Sequence, residues 1–175
     1  MDLIGAVAPA RETRIIDTGG GASLLVDRLL DLGYDQVIVA DISEAALDKA
    51  RARLGDRAGK VTWLVVDARN LRLSPQVDLW HDRAVFHFLT EEADRQGYLD
   101  SVRAVLRPGG HVVIASFGPE GPDRCSGLAV ERYDAAKIVE TFGQGFELLR
   151  SFRQLHETPA GTTQQFTYAL LRRRC

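Results

Sequence analysis

The sequence predicts an α/β fold, a mostly parallel sheet covered by helices on both faces and finished by an antiparallel edge. Three observations carry this. Short β-branched runs alternate with helical stretches as far as Phe142. The first such run ends in an acid and passes directly into Gly19-Gly20-Gly21. The C-terminal part then abandons the alternation for two long strand-like runs on either side of a proline and glycine turn.

Each element has a local reason. Leu3 to Val7 reads as the end of a short helix stopped by Pro9, so residues 1–12 make an unusually short N-terminal helical region. Thr13 to Asp17 is the first strand. Ala22 to Leu32 is a helix, with Leu24, Leu25, Leu29 and Leu30 at helical spacing and Gly33 closing it. Gln36 to Asp41 is the second strand. Ser43 caps a helix over Glu44 to Leu54, a stretch of good helix formers. Val61 to Val66 is a continuous apolar run of the kind buried on both faces. Val77 to His81 is the fourth strand. Thr90 caps a helix that opens on Glu91 and Glu92 and runs to Leu106, its acids favourably near the start. His111 to Phe117 is the fifth strand. A long loop follows over 118–133, then a helix capped by Asp134 and ending at Phe142. Phe146 to Leu155 and Thr162 to Leu171 form a hairpin through Thr158-Pro159-Ala160-Gly161.

Composition limits the function classes. The 175 residues are 45% hydrophobic, enough for one domain over 1–175 with a proper core. The net charge of −2 gives no long-range attraction to nucleic acid or an anionic membrane. The two cysteines, Cys125 and Cys175, make no disulfide framework and suit a reduced, cytoplasmic setting. No apolar run approaches the ~20 residues of a membrane span. Met1 to Ala10 lacks the basic start and apolar centre of a secretion signal.

A strand, a glycine turn, a helix, a second strand and an acid at its end suit an adenosine-bearing ligand. The glycines let the backbone bend and the ligand approach. Asp41 stands where an acid accepts hydrogen bonds from two ribose hydroxyls, or else caps the helix beginning near Ser43. The dinucleotide pattern would require a third glycine where Leu24 stands. Asp17 would also repel a pyrophosphate. A cationic amino group and a sulfonium would be attracted by the same carboxylate, so S-adenosyl-L-methionine fits and NAD fits poorly.

Ile15-Ile16-Asp17-Thr18-Gly19-Gly20-Gly21 resembles motif I of the class I S-adenosylmethionine-dependent methyltransferases. Val66-Asp67-Ala68 is similar to the family's acidic motif after strand three. Asp78-Leu79-Trp80-His81-Asp82-Arg83 sits where its strand four ends, and Leu106-Arg107-Pro108-Gly109-Gly110-His111 looks like the turn before its strand five. Ser23 stands where many members carry a further glycine. The resemblance spans nearly the whole chain. It implies a Rossmann-like, three-layer fold with strand order 3-2-1-4-5-7-6, the last strand antiparallel. It implies cofactor contacts from Asp17, Thr18, Gly19, Gly20, Gly21, Asp41, Ile42, Asp67, Ala68 and His81. Asp67 would meet the adenine amino group, with Ala68 offering its backbone amide; an ordinary turn with Asn70 is the alternative for Asp67.

The run Trp80 to Phe88 holds two histidines, an acid, an arginine and three aromatics. On the family plan it faces the reactive methyl. Trp80 and Phe88 are expected in the core, Phe86 against the sulfonium, and Asp82 and His87 as candidate catalytic bases. A buried Asp82–Arg83 network that fixes the loop is the competing reading of Asp82. Ala84 replaces the glycine of the related D-R-G segment, so the acceptor class does not carry over. Methyl transfer is an in-line displacement that needs alignment above all, and no metal is expected. A small-molecule acceptor leads; a protein-lysine acceptor and a non-catalytic binding module are the alternatives. The short start implies an open cofactor cleft, or one closed by an oligomeric partner. The 118–133 loop, with Arg124, Cys125 and Arg132, reads either as a lid over the acceptor or as plain surface.

Overall fold

The computed structural model describes residues 2–158 and 161–175. Its elements are α1 (Asp2–Val7), β1 (Ile15–Thr18), α2 (Leu25–Asp31), β2 (Val37–Asp41), α3 (Glu44–Leu54), β3 (Val61–Val65), β4 (Val77–Arg83), α4 (Glu92–Val105), β5 (Leu106–Phe117), α5 (Ala135–Phe142), β6 (Phe146–Glu157) and β7 (Thr163–Arg173). The seven strands form one sheet in the order β3-β2-β1-β4-β5-β7-β6. All neighbours are parallel except β7, which runs antiparallel to both β5 and β6. The fold is therefore the Rossmann-like arrangement expected, with helices on both faces of a mixed sheet.

Strand alternation divides the core. Ile16, Trp80, Val112 and Ala169 pack on one face against Tyr98, Leu99 and Val102 of α4 and Ile138 and Phe142 of α5. Ile15, Leu79, Val113 and Leu170 pack on the other against α1, α2 and α3. Because successive strand residues face opposite ways, the side on which a β4 residue lands decides which layer it serves.

Several boundaries differ from expectation. The helix expected from Ala22 begins at Leu25, because the glycine turn extends through Leu24, whose side chain is 62% exposed rather than in the core. The amide of Leu25 instead bonds the Ser23 hydroxyl. Glu91, not Thr90, precedes the helix that begins at Glu92. The apolar third strand is the sheet's edge, so β3 is half covered and Val65 lies open. β5 starts at Leu106, which pairs with Val77 before a register shift. The 118–133 loop contains a two-residue antiparallel ladder, Arg124–Cys125 with Leu128–Ala129. In the C-terminal turn, Pro159 and Ala160 lie outside the described residues; beside them the Gly161 amide donates to the Thr158 carbonyl over 2.8 Å.

Candidate functional site

The carboxyl ends of β1, β2 and β4 converge around the glycine turn. Gly19 has φ +65°, and a Cβ there would stand 1.9 Å from a methyl of Val85, in the loop after β4. A Cβ on Gly20 would stand 2.7 Å from Asp17 Oδ2, and one on Gly21 2.7 Å from Asp41 Oδ2. The turn is thus closely wrapped by two carboxylates and the β4 loop, and only glycine fits there.

Two cavities open from this turn, and a third continues from one of them. One, of about 560 Å³, is walled by Gly19, Asp41, Ile42, Asp67, Ala68 and Phe88 among others. Ile42 is 71% exposed, an apolar side chain beside the slot. Asp41 Oδ1 accepts from the Ser43 amide at 2.8 Å. Ser43 in turn caps α3 as expected, accepting from the Ala46 amide. Asp67 accepts from the Arg69 amide and side chain, and Arg69 also reaches Asp94. The Arg69 guanidinium holds the Asp67 carboxyl below its ordinary range. The chain's own arginine thus already grips the acid expected to meet an adenine amino group.

A second cavity, of about 480 Å³, shares Gly19 and Ala84 with the first and adds Asp17, Gly20, His81 and Arg83. A third, of about 520 Å³, continues from it along the open sheet face, sharing His81, Arg83, His156, Phe166 and Tyr168. Asp17 and His81 are register partners on β1 and β4. Asp17 Oδ1 lies 2.7 Å from His81 Nδ1, and both residues are buried. With Nδ1 taken by Asp17, Nε2 is the ring nitrogen left for the cavities that His81 lines. Asp17 Oδ2 is buried without a hydrogen-bond partner among the described residues. That spare acceptor, beside a turn only glycine can make, fits a cofactor bearing a cationic amino group. Thr18 faces the opposite way, its hydroxyl bonded to the His81 carbonyl at 2.9 Å.

The two candidate bases lie elsewhere. Asp82 follows His81 by one residue and therefore points to the opposite face of the sheet. It is fully buried; Oδ1 accepts from the Val85 amide at 2.9 Å and Oδ2 from the Phe86 amide at 3.2 Å and the Tyr98 hydroxyl at 2.7 Å. Burial raises its carboxyl to about 6. It holds the loop, and its partners are the Val85 and Phe86 amides and Tyr98 rather than Arg83. His87 is fully buried between Phe88 and Phe117, with ring centroids 4.6 and 4.4 Å away, and burial lowers it to about 4. Neither lines any of the three cavities. Phe86 is likewise core, packed on Tyr98 and Tyr133, while Phe88, expected in the core, walls the first cavity.

Sequence reading missed the wall opposite His81. Arg150, Phe152, Gln154 and His156 of β6 and Phe166 and Tyr168 of β7 line the third cavity. The signal was present: those residues recur at every second position, the period of one strand face. In the 118–133 loop, Leu128 reaches the first cavity, whereas Arg124 and Arg132 bond the Gly127 and Gly121 carbonyls of their own loop.

The sequence matches the family model described as "Methyltransferase domain" over residues 15–110. A ubiquinone/menaquinone biosynthesis C-methyltransferase of Coxiella burnetii is 35% identical over 109 residues, covering 59% of this chain and 42% of that protein. One from Yersinia pestis is 31% identical over 159 residues, 85% of this chain and 59% of that protein. The chain thus spans about half the length of the curated relatives it matches. Among solved structures, a SAM-dependent methyltransferase of Methanosarcina mazei superposes with a TM-score of 0.81 at 17% identity, over 99% of this chain and 98% of that one. The 1,6-didemethyltoxoflavin-N1-methyltransferase of Burkholderia thailandensis does so with 0.78 at 20% identity, over 99% and 77%. With its motif-bearing residues inside the matched span and its strand order the expected one, the chain belongs to the class I S-adenosylmethionine-dependent methyltransferase family.

Proposed function

We propose that the protein transfers the methyl group of S-adenosyl-L-methionine to a small molecule held in the two cavities beyond the glycine turn. The observation that carries this reading is their continuity. The cavity at Asp41 and Asp67 meets the second cavity at Gly19 and Ala84, and the Asp17–His81 pair lines that second cavity, with His81 continuing into the third. Each cavity is of the size that encloses a small ligand. The relatives among ubiquinone/menaquinone biosynthesis C-methyltransferases support an acceptor of that kind.

When bound, the cofactor supplies an electrophilic methyl on a sulfonium. The chain's residues do the rest. Asp41 accepts from the ribose hydroxyls, and Ile42 and Ala68 line the adenine slot that Asp67 closes. Asp17 offers Oδ2 to the cofactor's amino group and Oδ1 to His81. Gly19, Gly20 and Gly21 let the backbone close on the ligand. His81, oriented through Nδ1, presents Nε2 to the acceptor and takes the proton that a neutral nucleophile must lose.

The test uses methyl-labelled cofactor with the purified protein and a soluble extract fractionated by mass. Label is expected in the low-mass fraction, with release of S-adenosylhomocysteine. Label confined to protein would overturn the small-molecule reading in favour of a protein acceptor. Cofactor binding without any turnover would leave a binding module.

A further inference from the structure

The charges along the three cavities are segregated. The cofactor end carries Asp41, Asp67 and Asp94 against one cation, Arg69, which is paired with the latter two. The far end carries Arg83 and Arg150, and among the described residues its lining includes no carboxylate. Among the described residues Asp17 is the sole carboxylate of the middle cavity's lining, beside Arg28 and Arg83, and it is engaged with His81. Among the described residues neither Arg83 nor Arg150 has a carboxylate within ion-pair distance.

Both arginines are set over aromatic rings. The Arg83 guanidinium lies 5.5 Å from the Phe166 ring and that of Arg150 5.6 Å from Phe152. Phe152 stacks on Tyr168, with centroids 5.1 Å apart and planes 5° from parallel, and Phe166 lies 6.4 Å from Tyr168. A continuous aromatic wall thus joins the two cations. Its rings come from β6 and β7, and Arg83 and His81 of β4 line the same cavity. Guanidinium groups take carboxylate or phosphate in a two-pronged grip, and flat rings take flat ligands.

We propose that the acceptor is an anionic aromatic molecule, its ring against the Phe166–Tyr168–Phe152 wall and its ionised group held by Arg83 and Arg150. This rests on the small-molecule reading of the same cavities and narrows it. In the transfer, an electron pair of the acceptor atom forms the bond to the methyl carbon while the carbon–sulfur bond breaks and its pair stays on sulfur. A proton on the acceptor atom passes to His81 Nε2 and then to water. A lysine side chain would meet the two arginines with like charge.

The experiment uses the full chain saturated with S-adenosylhomocysteine and matched probes: benzoate with benzamide, 4-hydroxybenzoate with 4-hydroxybenzamide, and 2-naphthoate with 2-naphthamide. Ligand-observed NMR reads each affinity. The acids are expected to bind about tenfold more tightly than their amides, as for a charge-assisted contact. Arg83→Gln and Arg150→Gln should each bring that ratio to about threefold or less, a ratio taken within one variant and so insensitive to partial unfolding. Arg150→Glu should turn the preference toward 4-hydroxybenzylamine. Acids that bind no better than amides, or probes that all fail while S-adenosylhomocysteine binds, would overturn the proposal and leave the cofactor site standing. Failure of S-adenosylhomocysteine to bind would overturn the reading beneath it as well.

Discussion

Asp41 ties helix α3 to the first cavity: one oxygen accepts from the Ser43 amide and the other faces the Gly21 turn. On the proposed reading both ribose hydroxyls donate to this carboxylate, and a hydrogen bond to a charged group contributes about 1.5–3 kcal/mol. Asp41→Ala is therefore expected to weaken S-adenosylhomocysteine by about 100-fold or more in calorimetry; unchanged affinity would remove Asp41 from the site. Ala84 makes a different point. The sequence shows an alanine where the related D-R-G segment has glycine, and its φ is +73°, the left-handed region. A Cβ costs about 1–2 kcal/mol there. The amide of Ala84 is held to the Ala115 carbonyl at 2.9 Å, so the β4–β5 pairing enforces the conformation. Ala84→Gly relieves the clash but loosens the unfolded chain. A net gain of about 1 kcal/mol is expected, or about 2–4 °C in the unfolding midpoint; a lowered midpoint would show that the Cβ is packed to advantage.

Strand β4 shows what was legible and what was not. Its existence follows from a local apolar run, and its neighbours β1 and β5 from the strand order that the family resemblance implies. The division of labour between His81 and Asp82 does not, because both are polar and the choice of face depends on register with β1 and β5. The same holds for Phe86 and Phe88: a single 3₁₀ turn sends the first to the core and leaves the second on a cavity wall. The wall on β6 and β7 proposed to hold the acceptor was hidden for a longer-range reason. Its alternation is visible in Arg150, Phe152, Gln154 and His156, but its facing His81 requires β7 to insert beside β5. On the opposite face, β4 is fastened to α4 by a chain of bonds. Trp80 Nε1 donates to the Tyr98 hydroxyl at 2.9 Å, and that hydroxyl donates to Asp82. Tyr98→Phe strands a buried indole N–H and removes one donor from a buried carboxyl. Leaving a buried group unpaired costs about 1–3 kcal/mol each, so a loss of about 2–4 kcal/mol is expected in denaturant unfolding. A loss below 1 kcal/mol would show that the chain of bonds is not needed to hold the strand.

Across the molecule, the two residues that sequence reading nominated as bases act together on stability instead. Asp82 is raised from 3.8 to about 6 by burial, so folding favours its protonated form. Its contribution is full below pH 3.8 and is lost as pH rises to about 6. His87 is lowered from 6.5 to about 4 by burial, so folding favours its neutral form. Its contribution is full above pH 6.5 and is lost as pH falls to about 4; His111, also lowered chiefly by burial, acts in the same direction. Each of the two shifts amounts to about 3 kcal/mol. Their windows overlap and their signs oppose, because the unfolded chain binds a proton at His87 where the folded chain binds one at Asp82. Between pH 4 and 6 these two terms nearly cancel. Single substitutions should expose them. His87→Phe keeps the aromatic packing and removes two unpartnered ring nitrogens, so its stability should rise as pH falls from 6 to 4 relative to the parent. Asp82→Asn leaves His87 unopposed, and its stability should fall over the same interval. Urea unfolding of the three proteins at pH 4, 5 and 6 reads both slopes. Variants that track the parent in parallel would show that neither group carries a perturbed proton affinity, and that the two nominated bases are ordinary core residues.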